Sequence, residues 1–375
     1  MLQSPFSKHL VILLIVTLVG LLFAGLHPFD FVPKNEVHWL QGENGLRFKG
    51  YGQVHGTHPL ALYSAPAGEA SLAVFTIELW VASREVSQAK LIDILSLYHS
   101  RHEKPFAIEI WRGGLVLESV VPDQHGHRSL QHLRVGSIFA GGVRRFITVT
   151  TGGDGTAIYV DGSLEVRNPG LRIARESADG ILLLGQTARG GQDWNGDILG
   201  LAVYPGVLTA NEIASHYAVW TVGRLPELLD RNPDAIIYPF NEKRGTLVHC
   251  VGSARNDLVI PPRFHPLDPV ILERPSYREL TNVSDVALNI LGLIPLGGLL
   301  VIYWRNVRGW SNRKAAAAAV LTGFLLSLAI ELLQVFLPSR DSSLLDLIDN
   351  TLGSGIGAGL AVSAYPWLQK MLTIL

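Results

Sequence analysis

The chain has 375 residues, 48% of them hydrophobic and only 17% charged, below the roughly 25% charged content of a typical soluble domain. A formal net charge of −1 gives no footing for a nucleic-acid partner, and a single cysteine, Cys250, excludes an intrachain disulfide and multi-cysteine zinc sites. The apolar excess lies at the two ends and the middle is ordinary soluble sequence, so the composition describes a membrane protein with a soluble insert.

Leu10–Leu26 is an unbroken run of apolar or small residues behind Lys8 and His9. At 1.5 Å per residue it spans ~26 Å, enough for a short membrane helix. A cleaved signal peptide is the rival reading. However, Leu22-Phe23-Ala24 makes a poor cleavage site, and HPFDFVP has the aromatic character of a membrane exit. Residues 1–30 are therefore expected to form an uncleaved first span.

From Asn35 to Trp220 the pattern changes to short alternating runs separated by Gly, Asn and Asp. LAVFTIELWVAS, KLIDILSLY, FAIEIWR, RFITVTT, TAIYVDGSLEV and GILLLGQ read as strands, and Asp161-Gly162 marks a two-residue hairpin. Such a succession predicts an all-β sandwich of jelly-roll type. One short helix is expected over Thr209–Trp220, where Thr209 and Glu212 form a capping box.

The segments NGLRFKGYGQV, FTIELWV, FITVTTGGDGTAIYVDGSLEV and WNGDILGLAVYPGVLTANEIASHYAVW resemble the laminin-G/concanavalin A-like family over about residues 40–220. YPFNEKRGTLVHCVGSARNDLVIP, at 238–261, is similar to the segment that usually opens such domains, yet here it follows the rest. A permuted sandwich would result, occupying residues 31–262, with its last strands drawn from 235–262. Binding of an envelope saccharide or protein is what the resemblance implies. Trp80, Trp111 and Trp194 offer flat faces for sugar rings and serve a core equally well. Asp154, Asp161 and Asp193 are candidates for Ca2+, although Asp161 is also explained by its turn. His125, His127 and His132, and likewise His99 and His102, could bind a metal, but without carboxylates at matching spacing they read as solvated loop residues. No cofactor is required by any motif: there is no Ser-His-Asp set, P-loop or H-E-x-x-H. No glycosidase-like E-x-D-x-x-E strand is visible either.

Residues 263–282 are proline-rich and polar and read as a linker. Residues 283–375 then hold three further spans, Val283–Tyr303, Ala315–Leu337 and about Leu347–Trp367. The loop from Arg305 to Lys314 carries four basic residues and no acid. The positive-inside rule places it in the cytoplasm, together with both termini, and the sandwich outside.

This orientation brings every polar intramembrane residue to the outer half of the bilayer. Asp285 and Asn289 fall in the first turns of their span, Glu331 and Gln334 in the last turns of theirs, and Asp346 and Asn350 at the start of the final one. Each set follows helical spacing and continues into small residues, including the Gly353/Gly357 and Gly355/Gly359 pairs, which permit close helix approach. A polar pocket formed by Asp285, Asn289, Glu331, Gln334, Arg340, Asp346 and Asn350 is expected. Arg340 serves in it as the counter-charge for Glu331 or Asp346 and as a fork for a phosphate or carboxylate. A hydrogen-bond network that merely locks the helices is the alternative.

Asp285-x3-Asn289 with Ile294-Pro295-Leu296-Gly297, and Glu331-x2-Gln334-x5-Arg340-x5-Asp346-x3-Asn350-x2-Gly353, resemble the VanZ-like membrane family over about residues 280–360. The resemblance implies four helices, a bacterial cytoplasmic-membrane location and a link to glycopeptide resistance, but supplies no reaction. The expected fold is thus a four-helix membrane bundle with a concanavalin A-like sandwich inserted in the first loop. The leading functional expectation couples that sandwich to the pocket, with a lipid-linked or peptidoglycan-related saccharide as ligand and membrane lipid or envelope proteins as further partners. Two alternatives stand beside it: a transferase or hydrolase using Glu331 or Asp346 as acid/base, and an adhesion or scaffold protein merely anchored by its helices.

Overall fold

The computed structural model describes residues 5–63, 72–84, 91–99, 104–122, 128–188, 194–222, 233–252, 256–275 and 282–372. The chain forms two units, Pro33–Asp268 and a second built from Met1–Val32 with Pro269–Leu375.

The first unit is the sandwich. Its strands are β1 (Val37–Trp39), β2 (Leu46–Phe48), β3 (Val54–Gly56), β4 (Leu60–Ala61), β5 (Phe75–Ser83), β6 (Ile92–Tyr98), β7 (Phe106–Trp111), β8 (Gly114–Pro122), β9 (Arg128–Val135), β10 (Arg144–Gly152), β11 (Gly155–Val160), β12 (Ser163–Asn168), β13 (Asp179–Leu184), β14 (Gly196–Tyr204), β15 (Ile236–Tyr238), β16 (Leu247–Val248) and β17 (Leu258–Val259). One sheet runs β1-β2-β14-β5-β10-β11-β12, with β15 also on β14; the other runs β16-β17-β3-β13-β6-β7-β8-β9, with β4 also on β13. Alternate residues such as Ile77, Leu79 and Val81 of β5 and Ile108 and Ile110 of β7 meet between the sheets in one apolar core. The strands of 236–259 enter both sheets, so residues late in the chain complete a sandwich begun at Val37. Asp161 and Gly162 take φ of 51° and 82°, the left-handed pair that a two-residue hairpin turn requires.

Helix α1 (Pro5–Leu26) belongs to the second unit, whereas α2 (Ala210–Val222) lies on the sandwich. The capping box is formed: Thr209 N donates to Glu212 Oε2 at 2.7 Å, and Glu212 N to Thr209 Oγ1 at 3.3 Å. The buried Glu78 of β5 pins α2 to its sheet, receiving Tyr204 Oη at 3.0 Å and Trp220 Nε1 at 3.1 Å on one oxygen and meeting His216 Nδ1 at 2.8 Å on the other. The chain enters and leaves this unit through adjacent segments. Phe264 N donates to Pro33 O at 2.9 Å, Asn35 N to Pro262 O at 3.3 Å, and Asn35 Nδ2 to Gln53 O and Pro261 O, each at 2.7 Å.

The second unit is helical: α1, α3 (Val283–Arg308), α4 (Asn312–Gln334) and α5 (Leu344–Leu372). Among the described residues three helices, Phe6–Leu26, Val283–Arg308 and Asn312–Gln334, are long and apolar enough to cross a membrane. The fourth, α5, has 29 residues and packs among them, but carries Asp346 and Asp349, so four spans is an approximate count. Helices α3 and α5 touch backbone to backbone: a Cβ on Gly353 would strike Ile290 O, one on Gly357 Ile294 O, and one on Gly297 Ser354 O. Gly359 has no neighbour within 4 Å, and Gly355 meets only Val320, so one of the two expected glycine pairs makes the close approach. At the loop between α3 and α4, Trp304 stacks on Trp310 at 4.4 Å and Arg305 lies 3.5 Å from the Tyr365 ring centroid.

Candidate functional site

The opposite end of the helical unit holds a recess of about 470 Å3. Helix α3 supplies Asp285, Leu288 and Asn289 from its first turns, α4 supplies Gln334, and α5 supplies Asp346. The α4–α5 turn adds Ser339, Arg340, Asp341, Ser342 and Ser343. One wall comes from the segment expected to be a linker. Glu273 pairs in parallel with Ser343, its N–H donating to Ser342 O at 2.8 Å and its carbonyl receiving Leu344 N at 3.0 Å. Leu272 N also donates to Ser342 Oγ at 3.1 Å.

Five of the seven residues expected at the pocket line this recess: Asp285, Asn289, Gln334, Arg340 and Asp346. Glu331 and Asn350 do not. Glu331 is buried and accepts the Ser343 N–H at 2.7 Å, at the N-terminus of α5, where a carboxylate meets the positive end of the helix dipole. Asn350 donates to Ser327 Oγ at 3.0 Å and joins α5 to α4.

Arg340 differs from expectation in its partner. Its guanidinium forms no ion pair with Glu331 or Asp346. It donates instead to His27 O at 3.1 Å and to Ala24 O at 3.5 Å, carbonyls at the C-terminal end of α1. Those carbonyls have no partner within their own helix and carry its negative dipole end, so they compete well for a cation. Gln334 Nε2 donates to Gly25 O at 2.9 Å in the same region, while its Oε1 is buried with no hydrogen-bond partner among the described residues. Arg340 and Gln334 thus hold α1 against the α4–α5 turn and also border the recess. The lining of carboxylates, amides and hydroxyls suits a ligand rich in hydroxyl, amide or amine groups.

The sequence reading missed Glu273, Leu288, Ser339, Asp341, Ser342 and Ser343 as lining residues. No side-chain pattern marked this stretch, since its docking rests on the main chain of Leu272 and Glu273, and Ile271 is exposed.

In the sandwich the three tryptophans separate. Trp194 is fully buried in the core, Trp80 packs beside α2, and Trp111 is half-exposed at the β7–β8 hairpin. Asp161 accepts Arg145 Nη1 at 2.6 Å and the Phe146 N–H at 2.9 Å, and these bonds hold it in its turn. Asp193, His102, His125 and His127 lie outside the described residues; among the described ones no group of three His, Cys, Asp or Glu side chains could hold a metal.

A cluster that no motif announced lies on the outer side of β6–β8. Lys104 Nζ sits 3.2 Å from Asp93, 2.5 Å from Glu109 and 3.5 Å from Glu118, all three acids being buried. Glu118 also meets His132 Nδ1 at 3.5 Å. Burial pushes the Glu109 carboxyl up to about 8; Lys104 opposes this rise, and the Asp93 charge adds to it.

Residues 236–366 match a family model described as VanZ/LLP1, and residues 61–214 match one described as the concanavalin A-like lectin/glucanases superfamily. The first match includes β15–β17, which complete the sandwich. No curated protein matches the chain. Among solved structures it is similar to the binding domain of botulinum neurotoxin DC in complex with rat synaptotagmin II, at 13% identity and TM-score 0.36, covering 50% of this chain and 46% of that one. It is also similar to Trypanosoma rangeli sialidase, at 15% identity and TM-score 0.35, covering 50% and 29%. The third is the CBM40 of a Ruminococcus gnavus IT-sialidase bound to α2,3-sialyllactose, at 17% identity and TM-score 0.34, covering 47% and 96%. The chain spans about half the length of the neurotoxin binding domain it matches.

Proposed function

We propose that this chain, a VanZ-like membrane region joined to a concanavalin A-like sandwich, is a bacterial envelope protein that handles a lipid-linked or peptidoglycan-related saccharide. In this reading the sandwich lies outside the cytoplasmic membrane and takes hold of a saccharide or an envelope protein. The recess, lined by acids, amides and hydroxyls, receives the sugar hydroxyls and amides of the lipid-linked molecule and not its anionic diphosphate. Interference with cell-wall precursors would connect such a role to glycopeptide resistance.

The observation behind this reading is the convergence of Asp285, Asn289, Gln334 and Asp346, from three helices, on one recess. Acids, amides and hydroxyls drawn from three helices and a turn into one recess fit a ligand site. The test is binding of a polyprenyl-diphosphate-linked saccharide to full-length protein in nanodiscs. Asp285→Asn, Asn289→Leu and Asp346→Asn should each weaken binding about tenfold, the scale of one hydrogen bond to a charged group, with thermal stability preserved. Unchanged affinity in all three would sink the reading.

A second, enzymatic reading is narrowed by the geometry. Asp346 borders the recess, whereas Glu331 is covered by Ser343, so Asp346 is the stronger acid/base candidate. Turnover of the same labelled substrate, abolished by Asp346→Asn, would replace binding with catalysis.

A further inference from the structure

The outer side of the sheet at β7–β9 sorts its charges. The cross-strand register places Glu109, Val116 and Arg134 in one row, and Ala107, Glu118 and His132 in the next. Trp111 follows Glu109 by two residues and so lies on that same side. The acids of this surface, Asp93, Glu109 and Glu118, are buried around Lys104. The guanidiniums are outside. Arg112 Cζ is 4.8 Å and Arg134 Cζ 5.2 Å from the centroid of the Trp111 ring.

One indole therefore holds two cations, through the attraction of its negative ring face, at most about 10 Å apart. Both arginines are exposed, and neither donates to an acceptor among the described residues. Arg112 sits at φ 49° beside Gly113 at φ 74°, the left-handed pair of a two-residue hairpin turn, where glycine or asparagine would be less strained. The turn thus projects an arginine over the ring at the top of the β7–β8 hairpin.

We propose that Arg112, Arg134 and Trp111 form a subsite for an acidic sugar, a pyranose carrying a carboxylate. Two unpaired planar forks match the oxygens of one carboxylate or of neighbouring ones along a chain. The indole holds both guanidiniums, and the part of it left exposed adds apolar contact for a sugar ring. An acidic protein would satisfy the arginines but gives no use to the ring beside them. The inference rests on the reading of the sandwich as a saccharide-binding module and specifies what it selects.

The experiment measures binding of a galacturonate hexamer and of a neutral galactose hexamer to full-length protein in nanodiscs. Four proteins are compared: wild type, Arg112→Asn, Arg134→Gln and Arg134→Lys. The uronate should bind and the neutral sugar much less. Arg112→Asn and Arg134→Gln should each weaken uronate binding about tenfold, and Arg134→Lys should recover part of the loss. Uronate affinity should also fall with added salt. Circular dichroism should be unchanged in all three variants, since both side chains are exposed; melting temperature should hold in the Arg134 variants and stay level or rise slightly in Arg112→Asn, which relieves the positive φ. Binding of the neutral hexamer with no preference for uronate overturns the subsite but leaves a saccharide-binding sandwich; binding of neither hexamer overturns the subsite as well. If the arginines serve only to keep edge strand β9 from pairing with other chains, the variants self-associate and uronate affinity stays as in wild type, which also overturns the proposal.

Discussion

Lys104 carries one positive charge among three buried carboxyls, and that imbalance has a pH signature. The Glu109 carboxyl, raised by burial to about 8, holds a proton in the folded sandwich that the unfolded chain releases near its ordinary value of 4.5. Between those two values the folded state binds more protons, so stability falls as pH rises through that window. Glu109→Gln keeps the shape and removes the titration. The melting temperature of the sandwich transition, followed from pH 5 to 8, should therefore decline in wild type and stay flatter in the variant. Parallel curves would show that Lys104 keeps Glu109 ionised throughout. The cluster was not legible in the chain, because alternating strands with an acid on the outer side read as solvated surface. Arg340 was half legible. Its place in the outer turn followed from the sequence, but its partners, Ala24 O and His27 O, are main-chain atoms that leave no mark in a sequence.

Among the elements, the contact between α3 and α5 is set by glycine. Gly353 and Gly357 let the α5 backbone lie against Ile290 O and Ile294 O, while Gly359, on the same helix, faces open space. Gly353→Leu should lower the stability of the helical unit by about 2–3 kcal/mol, the cost of forcing bulk into a filled contact. Gly359→Leu should change it little. Melting of full-length protein in one detergent checks both, and equal effects would mean that helix propensity, not contact, decides. Polar residues in apolar runs stand out, which is why Asp285, Asn289 and Asp346 could be placed at one end of the helices beforehand. The hairpin at Asp161-Gly162 and the capping box at Thr209 were likewise readable, because local chemistry alone determines them. Glu273 was not, since its pairing with Ser343 joins segments some seventy residues apart and depends on backbone register.

For the molecule as a whole, the charge pattern gives a sharper test than any single residue. Arg305, Arg308, Arg313 and Lys314 at the α3–α4 loop predict that this loop faces the cytoplasm and the sandwich the exterior. In a Cys250→Ser background, a membrane-impermeant maleimide should label Asp154→Cys in intact cells, and Ser311→Cys only after permeabilisation; both positions are exposed. The reverse pattern would move the recess to the cytoplasmic half of the bilayer and remove its access to exported saccharides.

The hydrogen bonds around Asn35 bear on chain entropy. The bond from Asn35 to Pro261 O joins residues 226 positions apart, so the sandwich closes its own loop. A free loop of that length would tax the pairing of the helices on either side in proportion to the logarithm of its length. A loop closed by its own fold does not. For α1 and α3, the whole insert counts only as the segments 27–34 and 262–282 that lead into and out of the Asn35 bonds. Changes of length inside the sandwich that keep the Asn35 bonds therefore leave the closure entropy met by the helices unchanged.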